Sequence, residues 1–224
     1  MNNSWLLPPL FLLLAASIGA QERSHPDTQK VIFENELVRV WDVHVAPGVS
    51  EPIHSHERGV TIVLTDYENE TISVPEGKMN TGSNKFGDVK WAEPVKHSSR
   101  NVGTTEQRVI RIEMKKAAPA PSTAVDLLDA LVTCKNTQKL LFENAYVRAI
   151  EDRAPSGEVT PKHSHPRGLL INLSDYDSET TTWPDGKIVA GWGKKGDVRW
   201  TEPAIHVVKN GRGEETYAIR IDVK

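Results

Sequence analysis

"EPIHSHERGV" (residues 51–60) returns 109 positions later as "TPKHSHPRGL" (residues 160–169), with Pro, His, Ser, His, Arg and Gly in the same order. A phrase repeated at a fixed offset points to a duplicated unit. Extended outward, "TQKVIFENELVRV" from Thr28 lies over "TQKLLFENAYVRA" from Thr137, and the register holds without a gap to Lys115 and Lys224. "TDYENET" faces "SDYDSET", "GDVKWAEPVKH" faces "GDVRWTEPAIH", and "IRIEMK" faces "IRIDVK". Roughly four aligned positions in ten are identical, so the chain is a tandem duplication of one small domain.

Within each copy, short runs such as "LVRVWDVHV", "GVTIVLT" and "QRVIRIEM" are rich in Val, Ile and Thr and are separated by Pro, Gly, Asn and Asp. These are strand and turn signals at short intervals, and they predict an all-β sandwich or barrel, with a jelly roll the expected form. The domains are expected at residues 21–115 and 137–224. Between them, residues 116–136 open as an Ala/Pro linker and then turn helical: Val125, Leu127, Leu128, Leu131 and Val132 share one face at helical spacing. This predicts a short amphipathic helix that packs one domain on the other.

The 224 residues carry a formal net charge of −3, with 38% hydrophobic and 25% charged side chains, and their Lys and Arg are scattered. That balance suits a soluble globular protein and offers no footprint for nucleic acid. The uncharged stretch from Trp5 to Ala20 ends in small residues and reads as a signal peptide over residues 1–20, with an uncleaved anchor as the lesser alternative. The expected location is therefore periplasmic or secreted, with no stable membrane association after cleavage. The single cysteine, Cys134, permits no internal disulfide and is read as structural.

Six of the eight histidines pair across the duplication: His54 with His163, His56 with His165, and His97 with His206. On a strand, residues i and i+2 share a face, so both imidazoles of His-Ser-His can reach one cation. A third imidazole from elsewhere completes three protein ligands and leaves coordination positions open. The alternative is that these are ordinary surface or core histidines.

The motifs "GVSEPIHSH" (Gly48 to His56) and "GEVTPKHSH" (Gly157 to His165), followed by "GDVKWAEPVKHSSRN" (Gly87 to Asn101) and "GDVRWTEPAIHVVKN" (Gly196 to Asn210), resemble the two motifs of the cupin superfamily. The resemblance covers nearly all of both repeats. It implies a bicupin of two tandem jelly-roll barrels, with a divalent metal held by His54, His56 and His97 in one and by His163, His165 and His206 in the other. Where the family usually places a Glu ligand, four residues after the second His, this chain has Val60 and Leu169. The second motif is also one residue shorter and lacks the Gly after Pro. Cupins with three His and no Glu include Fe(II) thiol dioxygenases, so Fe(II) is the favoured metal, with Zn, Mn, Ni or Cu as other candidates.

Around these ligands, Arg58 and Arg167 follow the second His by two positions and could clamp a substrate carboxylate if the strand runs unbroken; otherwise they are surface residues. Asn101 and Asn210, with Glu93 and Glu202, are read either as groups orienting the imidazoles or as turn residues. Asp66 and Asp175 are expected to close β-turns, and Trp91 and Trp200 to fill the core. His44 is the spare imidazole, opposite Arg153, and no general base can be named. The expected function is a metal-dependent oxidoreductase, dioxygenase-like, acting on a small organic acid or thiol. A non-catalytic binding module is the alternative, and a zinc lyase ranks lower. The expected partner is a small-molecule ligand, with a homodimer left open.

Overall fold

The computed structural model describes residues 26–115 and 126–224. The expected signal peptide, His25 and Val125 lie outside the described residues. In the first copy, strands β1 (Gln29–Glu34), β2 (Val38–Val45), β3 (Ser50–His56), β4 (Gly59–Val63), β5 (Tyr67–Ser73), β6 (Met79–Asn84), β7 (Val89–Ala92), β8 (Val95–Asn101) and β9 (Gln107–Met114) form two sheets. One has the order β1-β2-β9-β4-β7 and the other β3-β8-β5-β6. The second copy repeats this with β10 (Gln138–Glu143), β11 (Val147–Ala154), β12 (His163–His165), β13 (Gly168–Asn172), β14 (Tyr176–Trp183), β15 (Ile188–Gly193), β16 (Val198–Thr201), β17 (Ala204–Asn210) and β18 (Thr216–Val223). Each copy is thus an antiparallel two-sheet barrel, as the strand and turn pattern predicts.

The two five-stranded sheets pack face to face. Ile110, Ile112 and Met114 of β9, with Val38, Val40, Val60, Ile62 and Leu64, meet Ile219, Ile221 and Val223 of β18, with Val147, Ala149, Leu169 and Ile171, in one continuous core. The alternate residues of β9, Val109, Arg111 and Glu113, turn into their own barrel and are also buried. Strand β9 therefore carries apolar residues on one face for the partner barrel and buried polar residues on the other. At Gly59 a Cβ would stand 1.9 Å from Ile112 O, so the close approach of β4 to β9 requires glycine there.

Trp91 and Trp200 line the rim of this seam rather than a barrel interior. Trp91 stacks on Tyr146 at 5.3 Å between ring centroids and Trp200 on Phe33 at 5.9 Å. Their indole N–H groups donate to Glu93 and Glu202, at 2.7 and 2.6 Å, so those carboxylates orient tryptophans and not imidazoles.

Among the described linker residues, 126–136, only one turn, α1 (Ala130–Thr133), is helical, and Leu127 and Val132 of the expected apolar face are 78% and 51% exposed. Asp126 accepts from the backbone N–H of Leu128 and makes a turn there, while Asp129 accepts from that of Leu131 as the N-cap of α1, so this helix begins only after Asp129. The segment instead lies along β12, where Ser164 N–H donates to Leu128 O at 2.7 Å, and so covers the edge of that sheet.

A core shared by both copies makes them unfold together. Ile112→Ala is expected to cost about 2–5 kcal/mol and to lower a single cooperative melting transition. Two transitions, with only one moved by the substitution, would contradict the shared core.

Candidate metal centres

Strand parity places His54 and His56 of β3 on one face, and the register puts His97 of β8 directly opposite His54. In the second barrel His163 and His165 of β12 face inward and His206 of β17 lies opposite His163. The structure therefore brings together both three-His sets. His54 Nε2 is 3.1 Å from His56 Nε2 and 3.2 Å from His97 Nε2, and His206 Nε2 is 3.0 Å from His163 Nε2. Nitrogens coordinated at about 2.0–2.1 Å around one ion lie about 3 Å apart, which these spacings match.

The tautomers fit as well. His54 Nδ1–H donates to Pro52 O at 2.8 Å and His163 Nδ1–H to Pro161 O at 2.7 Å, which leaves each Nε2 lone pair turned to the cluster. His56 Nδ1–H donates to Glu113 Oε1 at 3.0 Å. Burial lowers the pKa of His54, His163 and His165 and holds His97 and His206 at about 4, so these imidazoles are neutral, as ligation requires, at neutral pH. Three convergent imidazole nitrogens make a donor set suited to a divalent transition metal.

Val60 and Leu169 do not face these clusters. Both are fully buried in the core between the barrels. The inward positions are the next residues, Thr61, whose hydroxyl accepts from Arg111 at 3.0 Å, and Leu170, which lines the second barrel's cavity. A break between β3 and β4 shifts the parity by one. The same break turns Arg58 away: its guanidinium bonds Tyr146 OH and lies over that ring. Arg167 is likewise not among the residues lining the cavity, where Arg199 and Arg220 are.

Asn101 Nδ2 donates to Val45 O and Thr105 O, both at 2.8 Å, and Asn210 bonds Ala154 O, Pro155 O and Glu214 O. They tie loops and do not orient an imidazole. Asp66 and Asp175 do not close β-turns: they accept from the backbone N–H of Phe86 and Lys195, 20 residues on, and so tie two loops together. His44 shares the outward face with Asp42, 3.1 Å from its carboxylate, and takes no place in the cluster.

Beside Glu113, Arg199 and Arg220, further groups at the clusters went unnoticed in the sequence. Gln29 Nε2 sits 3.2 Å from His54 Nε2 and donates to Glu51 Oε1 at 3.1 Å. Glu51 is buried and also accepts from Ser99 Oγ at 2.6 Å. In the second barrel, Asp152 on β11 lines a cavity of about 360 Å³ with His163, His165, His206 and Arg220, and accepts from Gln138 Nε2 at 3.2 Å. Burial pushes its carboxyl up to about 6 against the pull of Arg220. The available signal was a broken repeat: Asp152 stands over Val43, and Glu51 over Thr160.

No protein-family model and no curated protein matches the chain. Solved structures do. AerE from Microcystis aeruginosa is 14% identical with a TM-score of 0.59, over 88% of this chain and 97% of its own. A cupin 2 conserved barrel domain protein from Leptotrichia buccalis is 15% identical with a TM-score of 0.53, over 88% of each chain. Oxalate decarboxylase from Bacillus subtilis, a protein with Mn(II) centres, is 13% identical with a TM-score of 0.58, over 87% of this chain and 71% of its own. The chain thus has the cupin fold twice in tandem, the architecture of a bicupin, with one three-His cluster in each barrel.

Proposed function

We propose that the chain is a metal-dependent enzyme for a small organic acid, that it works outside the cytoplasm, and that its reaction takes place in the second barrel. The observation that carries this reading is the cavity over His163, His165 and His206, with Arg199, Arg220 and Asp152 on its walls. At about 360 Å³ it is near the lower end of ligand pockets and suits a substrate of few heavy atoms. Guanidinium groups there favour a carboxylate over a thiol. The extracytoplasmic location rests on the Trp5–Ala20 stretch alone.

A bound divalent ion would polarise a coordinated oxygen of the acid. His163, His165 and His206 would hold it and, being neutral, leave its full charge in place. Asp152, with a pKa of about 6, is fit to hold or release a proton near neutral pH. An all-imidazole donor set suits Fe(II), as it does Zn, Cu and Ni, and the Mn(II) centres of the oxalate decarboxylase add Mn(II) as a candidate. Oxygen uptake distinguishes dioxygenase chemistry from cleavage without oxygen.

The test is a panel of small mono- and dicarboxylates offered to Mn(II)- and Fe(II)-loaded protein, with products followed by NMR and oxygen by electrode. One acid is expected to turn over, and Asp152→Asn to slow it about 10²-fold or more while metal content stays constant. Binding without turnover by any acid would contradict the enzymatic reading.

Asp152 also makes a stability prediction. Its folded pKa lies above the ordinary carboxylate value of 3.8, so ionisation costs stability as pH rises from 3.8 through about 6, and the full cost remains above that. In metal-free protein Asp152→Asn should raise the melting temperature by a few degrees at pH 7.5 and change it little at pH 4. An equal change at both values would contradict the assignment.

A further inference from the structure

The two triads share ligands but not surroundings. In the first barrel Glu113, 3% exposed, takes the Nδ1–H of His56. Beyond Gln29 lies Glu51, 4% exposed. In the second barrel Asp222 stands in the place of Glu113, one methylene shorter, and Thr160 in that of Glu51. The Asp222 carboxylate is taken by Arg220 Nε at 2.6 Å and by Arg148 Nη2 at 2.7 Å. Among the described residues, none hydrogen-bonds the buried His165 Nδ1.

The charged groups packed around the two triads differ accordingly. Glu113 and, through Gln29, Glu51 lie against the first, where the Arg111 guanidinium is turned to Thr61 Oγ1 and Glu57 O. Arg199 and Arg220 line the cavity over the second. Asp152, which lines that cavity, accepts from Gln138 Nε2.

We propose, on the reading that each triad holds a divalent cation, that the two copies have diverged into unequal centres. The first holds its cation tightly; the second holds its cation weakly and admits a small carboxylate anion beside it. A carboxylate that accepts the second N–H of a ligand imidazole locks the ring and raises its basicity, and losing one typically costs about 10–100-fold in metal affinity. Guanidinium groups close to the second triad oppose a cation and favour an anion that partly neutralises it.

The test is calorimetric titration of the metal-free full chain with Co(II). Two phases about 10–100-fold apart in Kd are expected. Glu113→Gln, shown to be folded by circular dichroism, should weaken the tight phase about 10-fold or more. If that variant does not fold, His54→Ala/His56→Ala should abolish the tight phase and His163→Ala/His165→Ala the weak one. Formate added to the Co(II)-loaded chain should change its visible absorption, and the change should survive in His54→Ala/His56→Ala and vanish in His163→Ala/His165→Ala. Two equal sites, the reverse assignment of phases, an unmoved tight phase in folded Glu113→Gln, or a formate response without the second triad would overturn the inference while leaving metal binding intact. No Co(II) uptake at either triad would sink both readings.

Discussion

Strand β9 is buried on both faces, and this double burial organises the molecule. Its Ile110, Ile112 and Met114 seal one barrel against the other, which leaves Val109, Arg111 and Glu113 to line the interior. Strand β18 repeats the arrangement with Ile219, Ile221 and Val223 outward and Arg220 and Asp222 inward. Because side chains alternate, the apolar seam determines which residues can reach a metal. A buried Arg and a buried carboxylate beside each triad follow from the same alternation.

The tandem duplication, the all-β class and the six histidines were legible because each rests on a pattern that repeats. His-x-His survives as a signal since i and i+2 share a face in any unbroken strand. The third histidine was legible only through the second copy, because a cross-strand partner has no fixed distance along the chain. One feature decides between the two readings of Arg58 and takes Val60 off the ligand face: the strand breaks after His56, and a one-residue slip exchanges the two faces. Val60 therefore belongs to the seam, and Thr61 takes the inward place. Over the described residues the linker helix is shorter than its apolar spacing suggests, because Asp126 makes a turn and Asp129 starts α1 as its N-cap.

What the repeat concealed lay in its exceptions. Positions identical in both copies describe the scaffold and the shared ligands, whereas Val43 against Asp152, Glu51 against Thr160 and Glu113 against Asp222 describe how the copies differ chemically. Each of these exceptions is an inward-facing or buried position. A buried carboxylate is costly unless it is bonded, so its presence in one copy and absence from the other points to use rather than drift.

The central claim is that each three-His cluster holds one divalent metal. Elemental analysis of purified wild-type chain beside His54→Ala/His56→Ala and His163→Ala/His165→Ala tests it most directly. The account predicts close to two metals per wild-type chain and a loss of one in each double variant, with the fold retained. Metal content unchanged by both double variants would contradict it.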